Sequence, residues 1–230
     1  MHTLLFTQPD INSQIATALG KLDAWLQTMR GDHGYGGPIS HWWESSLIYC
    51  GPMVDWRYEG VIGGYLSLYR STLDHEYLGK AIQAGDDILN AQLPGGNYKN
   101  SAFQQGPMEA GTPHEAAVDA GLLELAQQLK LLEHPGWTRY FHAAEKNLQE
   151  FHLGCLWGGK GFLDQSWHPI LVPNKNATTI EALILYEELS GRDMSEYIDG
   201  ALDQIRNLKN QIKFMVDRFI PVETYPEYFH

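Results

Sequence analysis

The sequence predicts an all-α protein built from repeated helical hairpins, and three observations carry that expectation. A glutamate opens the same kind of small-residue and apolar stretch three times, at Tyr58-Glu59-Gly60, His114-Glu115-Ala116 and Ile180-Glu181-Ala182, with spacings of 115 − 59 = 56 and 181 − 115 = 66. Each stretch is followed by a second helical segment carrying Tyr and, four residues on, Ala: Tyr77/Ala81, Tyr140/Ala144 and Tyr197/Ala201. Upstream of each Glu lies a glycine-aromatic turn: Gly34-Tyr35-Gly36-Gly37, Gly95-Gly96-Asn97-Tyr98, and Gly158-Gly159-Lys160-Gly161-Phe162. Self-similarity at such a period means stacked supersecondary units.

Taken in order, a first helix is expected over 12–29, with Ile15, Leu19, Leu22 and Leu26 on one face. Asp10 or Asn12 serves as its N-cap and Gly31 ends it. A long segment over 32–56 follows, with a short helix at 42–49. The first pair of helices spans 58–71 and 76–91 around the turn Thr72-Leu73-Asp74. The second spans 113–131 and 138–151 around His134-Pro135-Gly136, and the third 178–190 and 195–219 around Gly191-Arg192-Asp193. Pro113 and Asp193 sit where helix starts favour a proline and an acidic cap. The result is seven helices, no alternation for a substantial sheet, and glycine-aromatic turns suited to short hairpins.

Short connections join the two helices of a pair, and long ones (32–57, 92–112 and 152–177) join one pair to the next. In stacked antiparallel hairpins alternate connections lie at opposite ends. The long segments therefore gather at one end with the starts of the Glu-bearing helices, and function is expected on that face.

Composition narrows the classes. A chain of 230 residues, 43% hydrophobic and 19% charged, with no linker between its repeats, reads as one domain over 1–230 with a substantial core. The net charge of −12 and pI near 5.2 argue against nucleic acid and against an anionic membrane surface as partners. The start Met1-His2-Thr3-Leu4-Leu5-Phe6 lacks the basic n-region of a signal peptide, so a cytoplasmic protein is expected. Cys50 and Cys155 form no disulfide framework. Aromatic residues make up 12% of the chain and concentrate between the helices, where loops shed them unless they pack or bind something.

The stretch Glu59-Gly60-x-x-Gly63-Gly64-Tyr65-Leu66-Ser67-Leu68-Tyr69, followed by Asp74-x-x-Tyr77-Leu78-x-x-Ala81, resembles the hairpin common in the sugar-active branch of the α/α-toroid superfamily. That superfamily holds six-hairpin glycosidases, sugar epimerases and toroid polysaccharide lyases and, more distantly, terpenoid cyclases and prenyltransferase β subunits. The resemblance implies a complete or partial α/α toroid. A closed toroid needs about a dozen helices, so seven correspond to a partial toroid, an open solenoid, or a unit completed by association with another copy.

Among residues able to do chemistry, Asp55-Trp56-Arg57-Tyr58-Glu59 enters the first Glu-bearing helix. Asp55 and Glu59 are candidates for general acid and base, although acids at a helix start also serve as caps. His114 and Glu115 open the second such helix, and Asp119 lies one turn further on the same face. His114 is a candidate proton carrier, and Glu115 with Asp119 a candidate carboxylate pair. An equivalent Glu in each repeat could instead hold the adjoining loop. The first long segment carries His41, Trp42 and Trp43, and the third carries Asp164, Trp167, His168, Asn174 and Asn176. With Trp56, Arg57, Tyr58 and Asn100 these suit stacking on sugar rings and recognition of hydroxyls or a carboxylate. Asp86-Asp87, inside an outer helix, reads as a solvated face rather than a terpenoid acid motif. No zinc ligand set surrounds Cys50 or Cys155, and no HExxH, P-loop, GxGxxG or nucleophile elbow occurs. No metal or nucleotide cofactor is expected.

The reading these residues favour is a carbohydrate-active enzyme. As a glycosidase, one protonated carboxyl among Glu59, Glu115 and Asp119 donates to the leaving oxygen while another activates water, with Asp55 assisting. As a lyase or epimerase, His114 or Tyr58 moves the proton next to a uronate carboxylate that Arg57 or Asn100 neutralises. The alternatives are an isoprenoid-binding or cyclising toroid and a non-catalytic repeat scaffold that binds a peptide or protein.

Overall fold

In the computed structural model the described residues are 11–32, 34–35, 54, 56–98, 112–163 and 172–217, the side chains of 11, 12, 112–114 and 210–217 excepted. The expected short helix at 42–49 lies outside them. The chain divides into two compact units, Met1–Met53 and Val54–His230.

In the first unit the apolar period of residues 15–26 winds α1, Ile11–Thr28. Two short strands follow, β1 (Arg30–Gly31) and β2 (Gly34–Tyr35), paired antiparallel with Arg30 opposite Tyr35. Gly34, at φ 127, turns the chain back in a conformation side chains rarely adopt. Arg30 lies 4.9 Å over the Tyr35 ring, and the Gln27 amide donates to the Tyr35 hydroxyl. Of the expected apolar face, Ile15, Leu19 and Leu22 are exposed and Leu26 is half-buried.

The second unit holds α2 (Arg57–Thr72), α3 (His75–Ala91), α4 (Thr112–Leu131), α5 (Trp137–Lys146), α6 (Pro173–Ser190) and α7 (Ser195–Asp217). With α1 they make seven α-helices among the described residues, and the all-α class stands. α2 packs on α3, α4 on α5, and α6 on α7, which are the expected hairpins. α4 also packs against α2, α3 and α6, so α2, α4 and α6 form an inner row with α4 at its centre. Every residue from Glu115 to Leu123 is buried, which explains why α4 has no clear polar face.

The repeated alanines carry the packing. Ala81, Ala144 and Ala201 are fully buried, where a larger side chain would push the outer helix away. Gly121 lets α4 approach α2, because a Cβ there would sit 3.1 Å from the Glu59 Cα. The caps are legible too. The Asp74 carboxylate accepts the Glu76 N–H at 2.9 Å to start α3, and that of Asp193 accepts the Ser195 N–H at 2.9 Å to start α7.

Two elements differ from expectation. α6 begins at Pro173, five residues before 178, with the proline in its first turn where the missing N–H costs nothing. α5 ends at Lys146, and the chain continues as a π-helix over Asn147–Leu156. The Gln92 side chain donates to the Ala143 carbonyl at 2.7 Å, supplying an outside donor just before the winding changes.

Candidate functional site

The second and third glycine-aromatic turns fold as one-bridge hairpins, with Gln92 paired to Tyr98 and Trp157 to Phe162. In each, the start of the next inner helix grips the aromatic residue's backbone. The Tyr98 N–H donates to Glu115 Oε1 and Oε2 at 3.2 and 3.0 Å. The Phe162 N–H donates to Asn176 Oδ1 at 2.8 Å, while Asn176 Nδ2 donates to the carbonyls of Phe162 and Val172 at 3.0 and 3.1 Å. Glu115 is the fourth residue of α4 and Asn176 the fourth of α6. Side chains on a helix lean toward its N-terminus, so this position reaches the preceding hairpin. The structural partner of Glu115 is therefore Asn176. Glu181, matched to it by sequence, lies two turns into α6 and is exposed.

Behind the Tyr98 grip lies a buried polar cluster. Glu115 is 1% exposed, and Asp119, Asn147 and His152 are fully buried. The Tyr98 hydroxyl donates to Asp119 Oδ1 at 2.8 Å, and Asn147 Nδ2 donates to Glu115 Oε2 at 2.6 Å. His152 Nδ1 stands 3.8 Å from Asp119 Oδ2. The winding of the π-helix makes this match. Residues five apart lie near one face when hydrogen bonds run i→i+5, but about 140° apart at 3.6 residues per turn. Asn147 and His152 therefore meet Glu115 and Asp119, four apart on α4.

Burial pushes the Glu115 carboxyl up to about 8, against the pull of its hydrogen bonds from Tyr98 and Asn147. Asp119 is raised well above the carboxylate range, first by burial, with the Glu115 charge adding and the Tyr98 hydroxyl opposing. Burial and then the Asp119 charge raise the Tyr98 phenol. Asp119 Oδ2 and Asn147 Oδ1 have no hydrogen-bond donor among the described residues.

A second group lies on the inner row. Glu59, in the first turn of α2, is half-buried, and its carboxyl is raised by burial and then by the charges of Glu181 on α6 and Glu124 on α4. Three inner helices thus bring carboxyls within electrostatic reach of one another. Beside Glu59, Trp56 is 50% exposed and the Arg57 guanidinium lies 4.6 Å over its ring.

The residues expected from sequence separate accordingly. Glu115 and Asp119 come together as a carboxylate pair, but in the interior with Tyr98 between them. Glu59, Trp56 and Arg57 come together at the start of α2. Tyr58 is buried and its hydroxyl donates to Asp87 Oδ2 at 3.4 Å. Asn176 spends both ends of its amide on backbone, and Asn174 is exposed. His114 lies in the first turn of α4, its side chain outside the described ones. His41, Trp42, Trp43, Asp55, Asn100, Asp164, Trp167 and His168 lie outside the described residues.

The solvated-face reading of Asp86-Asp87 needs correction. Asp87 is buried against Tyr58, and Asp86 Oδ1 accepts the Tyr140 hydroxyl at 2.6 Å and pairs with Arg139. Sequence reasoning also missed Asn147, His152 and Glu124. Tyr98 stood in a recognised turn, but nothing in the sequence marks the change of winding that aims Asn147 and His152. Among the described residues no group of three or more His, Cys, Asp or Glu is arranged to hold a metal ion, and no helix is long and apolar enough to cross a membrane. Comparison of the chain with protein-family models, with curated proteins and with solved structures finds no match, so the geometry above is what bears on function.

Proposed function

We propose that this chain is a carbohydrate-active enzyme with a partial α/α-toroid architecture, acting on a saccharide with Glu59 as its general acid. The observation that carries the reading is the Glu59 carboxyl. It is half-buried at the start of an inner helix and held toward its protonated form by burial, Glu181 and Glu124. Glycoside cleavage needs such a pair, one carboxyl that keeps its proton for the leaving oxygen and one carboxylate that assists water or attacks the sugar. Glu181 or Glu124 is the second group. The exposed Trp56 ring, backed by Arg57, offers a sugar a face to stack on. With Glu59 protonated, the charges of Glu181 and Glu124 still repel an anionic uronate, so the hydrolase form on a neutral saccharide is preferred to a lyase or epimerase.

The test measures thermal stability and reducing-end release with neutral oligosaccharides, uronate oligosaccharides and isoprenoid phosphates, on wild type and Glu59→Gln. Neutral saccharides are expected to raise the melting temperature of both proteins. Glu59→Gln should lower turnover by about 10²–10⁴-fold, the usual worth of a general acid. Stabilisation by an isoprenoid phosphate and by no saccharide overturns the proposal. A second reading, a non-catalytic scaffold, draws on the burial of Glu115 and Asp119, which leaves both acids committed to Tyr98. Saccharide binding with no turnover in wild type would favour it.

A further inference from the structure

We propose that Glu115 and Asp119 form a proton-loaded latch: while the two carboxyls carry their protons they hold the 92–98 hairpin against α4, and loss of those protons releases it. One residue bridges the pair. Tyr98 sets its backbone N–H on Glu115 and its hydroxyl on Asp119, so both carboxyls grip the same point of the hairpin.

The charge balance of the cluster gives the latch its dependence on protons. The titratable groups that meet the two acids among the described residues are Tyr98, from the hairpin, and His152, from the π-helix, with neutral Asn147 completing the cluster. Several charged groups on the other helices packed against α4 are engaged elsewhere. Asp87 of α3 meets Tyr58 of α2, Arg70 of α2 meets Gln128, and Glu145 of α5 meets Tyr186 and Arg192. Glu59 of α2 couples to Glu181 of α6 and to Glu124. Among the described residues, no lysine or arginine side chain hydrogen-bonds to or pairs with Glu115 or Asp119.

Two ionised carboxyls one helical turn apart in the interior, with no lysine or arginine partner among the described residues, repel each other and lose their hydration. Asp119 Oδ2 has no hydrogen-bond partner among the described residues; ionised, it would hold a charge there without a donor, and protonated it would lack an acceptor but carry no charge. Once the protons leave, moving the hairpin aside admits water to both acids, and the grip on Tyr98 is what must give way. This inference does not depend on the proposed sugar chemistry.

Hydrogen exchange of the Tyr98 amide, corrected for the intrinsic effect of pH, tests the latch. In wild type, protection is expected to fall at least tenfold between pH 6 and pH 9. In the double variant Glu115→Gln/Asp119→Asn, whose amides keep the shape without the charge, protection should be independent of pH. Flat protection in wild type, or the same fall in the double variant, overturns the proposal. If the double variant does not fold, the side-chain carboxyl carbon shifts of Glu115 and Asp119 in labelled wild type decide. Protonated-acid shifts at pH 6 that move to carboxylate shifts on raising the pH are expected, and carboxylate shifts already present at pH 6 overturn it.

Discussion

Asn176 shows how much of the third hairpin rests on a single side chain. Its amide satisfies a backbone N–H and two carbonyls, those of Phe162 and Val172, and Phe162 is fully buried. Buried backbone groups that lose their partners cost the desolvation they no longer offset. Asn176→Ala should therefore destabilise the protein by about 2–4 kcal/mol in urea unfolding. Asn176→Asp keeps the acceptor for Phe162 N–H but turns a carboxylate toward two carbonyls, and should cost no less. A neutral Asp variant would mean that the side chain is not the hairpin's anchor. The sequence made Asn176 a candidate for ligand recognition because asparagine in an aromatic, acidic segment suits that role. Its actual work became visible only once α6 was seen to begin at Pro173, which turns a loop residue into the fourth residue of a helix.

At the scale of the elements, the short turns repeat a backbone device with different residues. The Leu73 N–H closes α2 on the Tyr69 carbonyl at 2.7 Å, and the Gly191 N–H closes α6 on that of Glu187 at 2.8 Å. Both residues are left-handed, at φ 59 and φ 70. Glycine accepts that conformation freely, whereas a leucine is strained, and the Leu73 side chain is 71% exposed, so little packing offsets the strain. Leu73→Gly is expected to stabilise the protein by about 0.5–1 kcal/mol, the relief of strain outweighing glycine's greater freedom in the unfolded chain. The midpoint of urea unfolding should rise, and a fall would mean that Leu73 is held by contacts beyond the turn. The same comparison shows what was legible. Turns and caps announced themselves through Asp74, Gly191 and Asp193, and the outer helices through the buried Ala81, Ala144 and Ala201. The π-helix did not, because residues 147–156 have an apolar content that suits either winding, and only the hydrogen-bond register separates the two.

Over the molecule as a whole, the choice of a glutamate in one hairpin grip and an asparagine in the other has a consequence that geometry alone does not reveal. Repetition drew attention to Glu59, Glu115 and Glu181 together, yet the fold gives them a half-buried, a buried and an exposed setting. Chemistry copied along a repeat is thus sorted by depth, which a sequence pattern does not record. Depth makes stability depend on pH. Glu115 is pushed up to about 8 by burial, from its ordinary value of 4.5, and Asp119 is raised with it. Between those limits the folded state binds more protons than the unfolded one, so stability falls as pH rises. The contribution is fully present below pH 4.5 and is lost as the pH climbs through about 8. The two acids titrate as a pair, so the loss spreads over a broad interval rather than one sharp step. Urea unfolding of wild type at pH 5, 7 and 9 should show a steady decline, and Glu115→Gln should flatten much of it while leaving the denaturant slope unchanged. If stability instead rises over this range, the cluster is ionised in the folded protein, and a cation must neutralise it there.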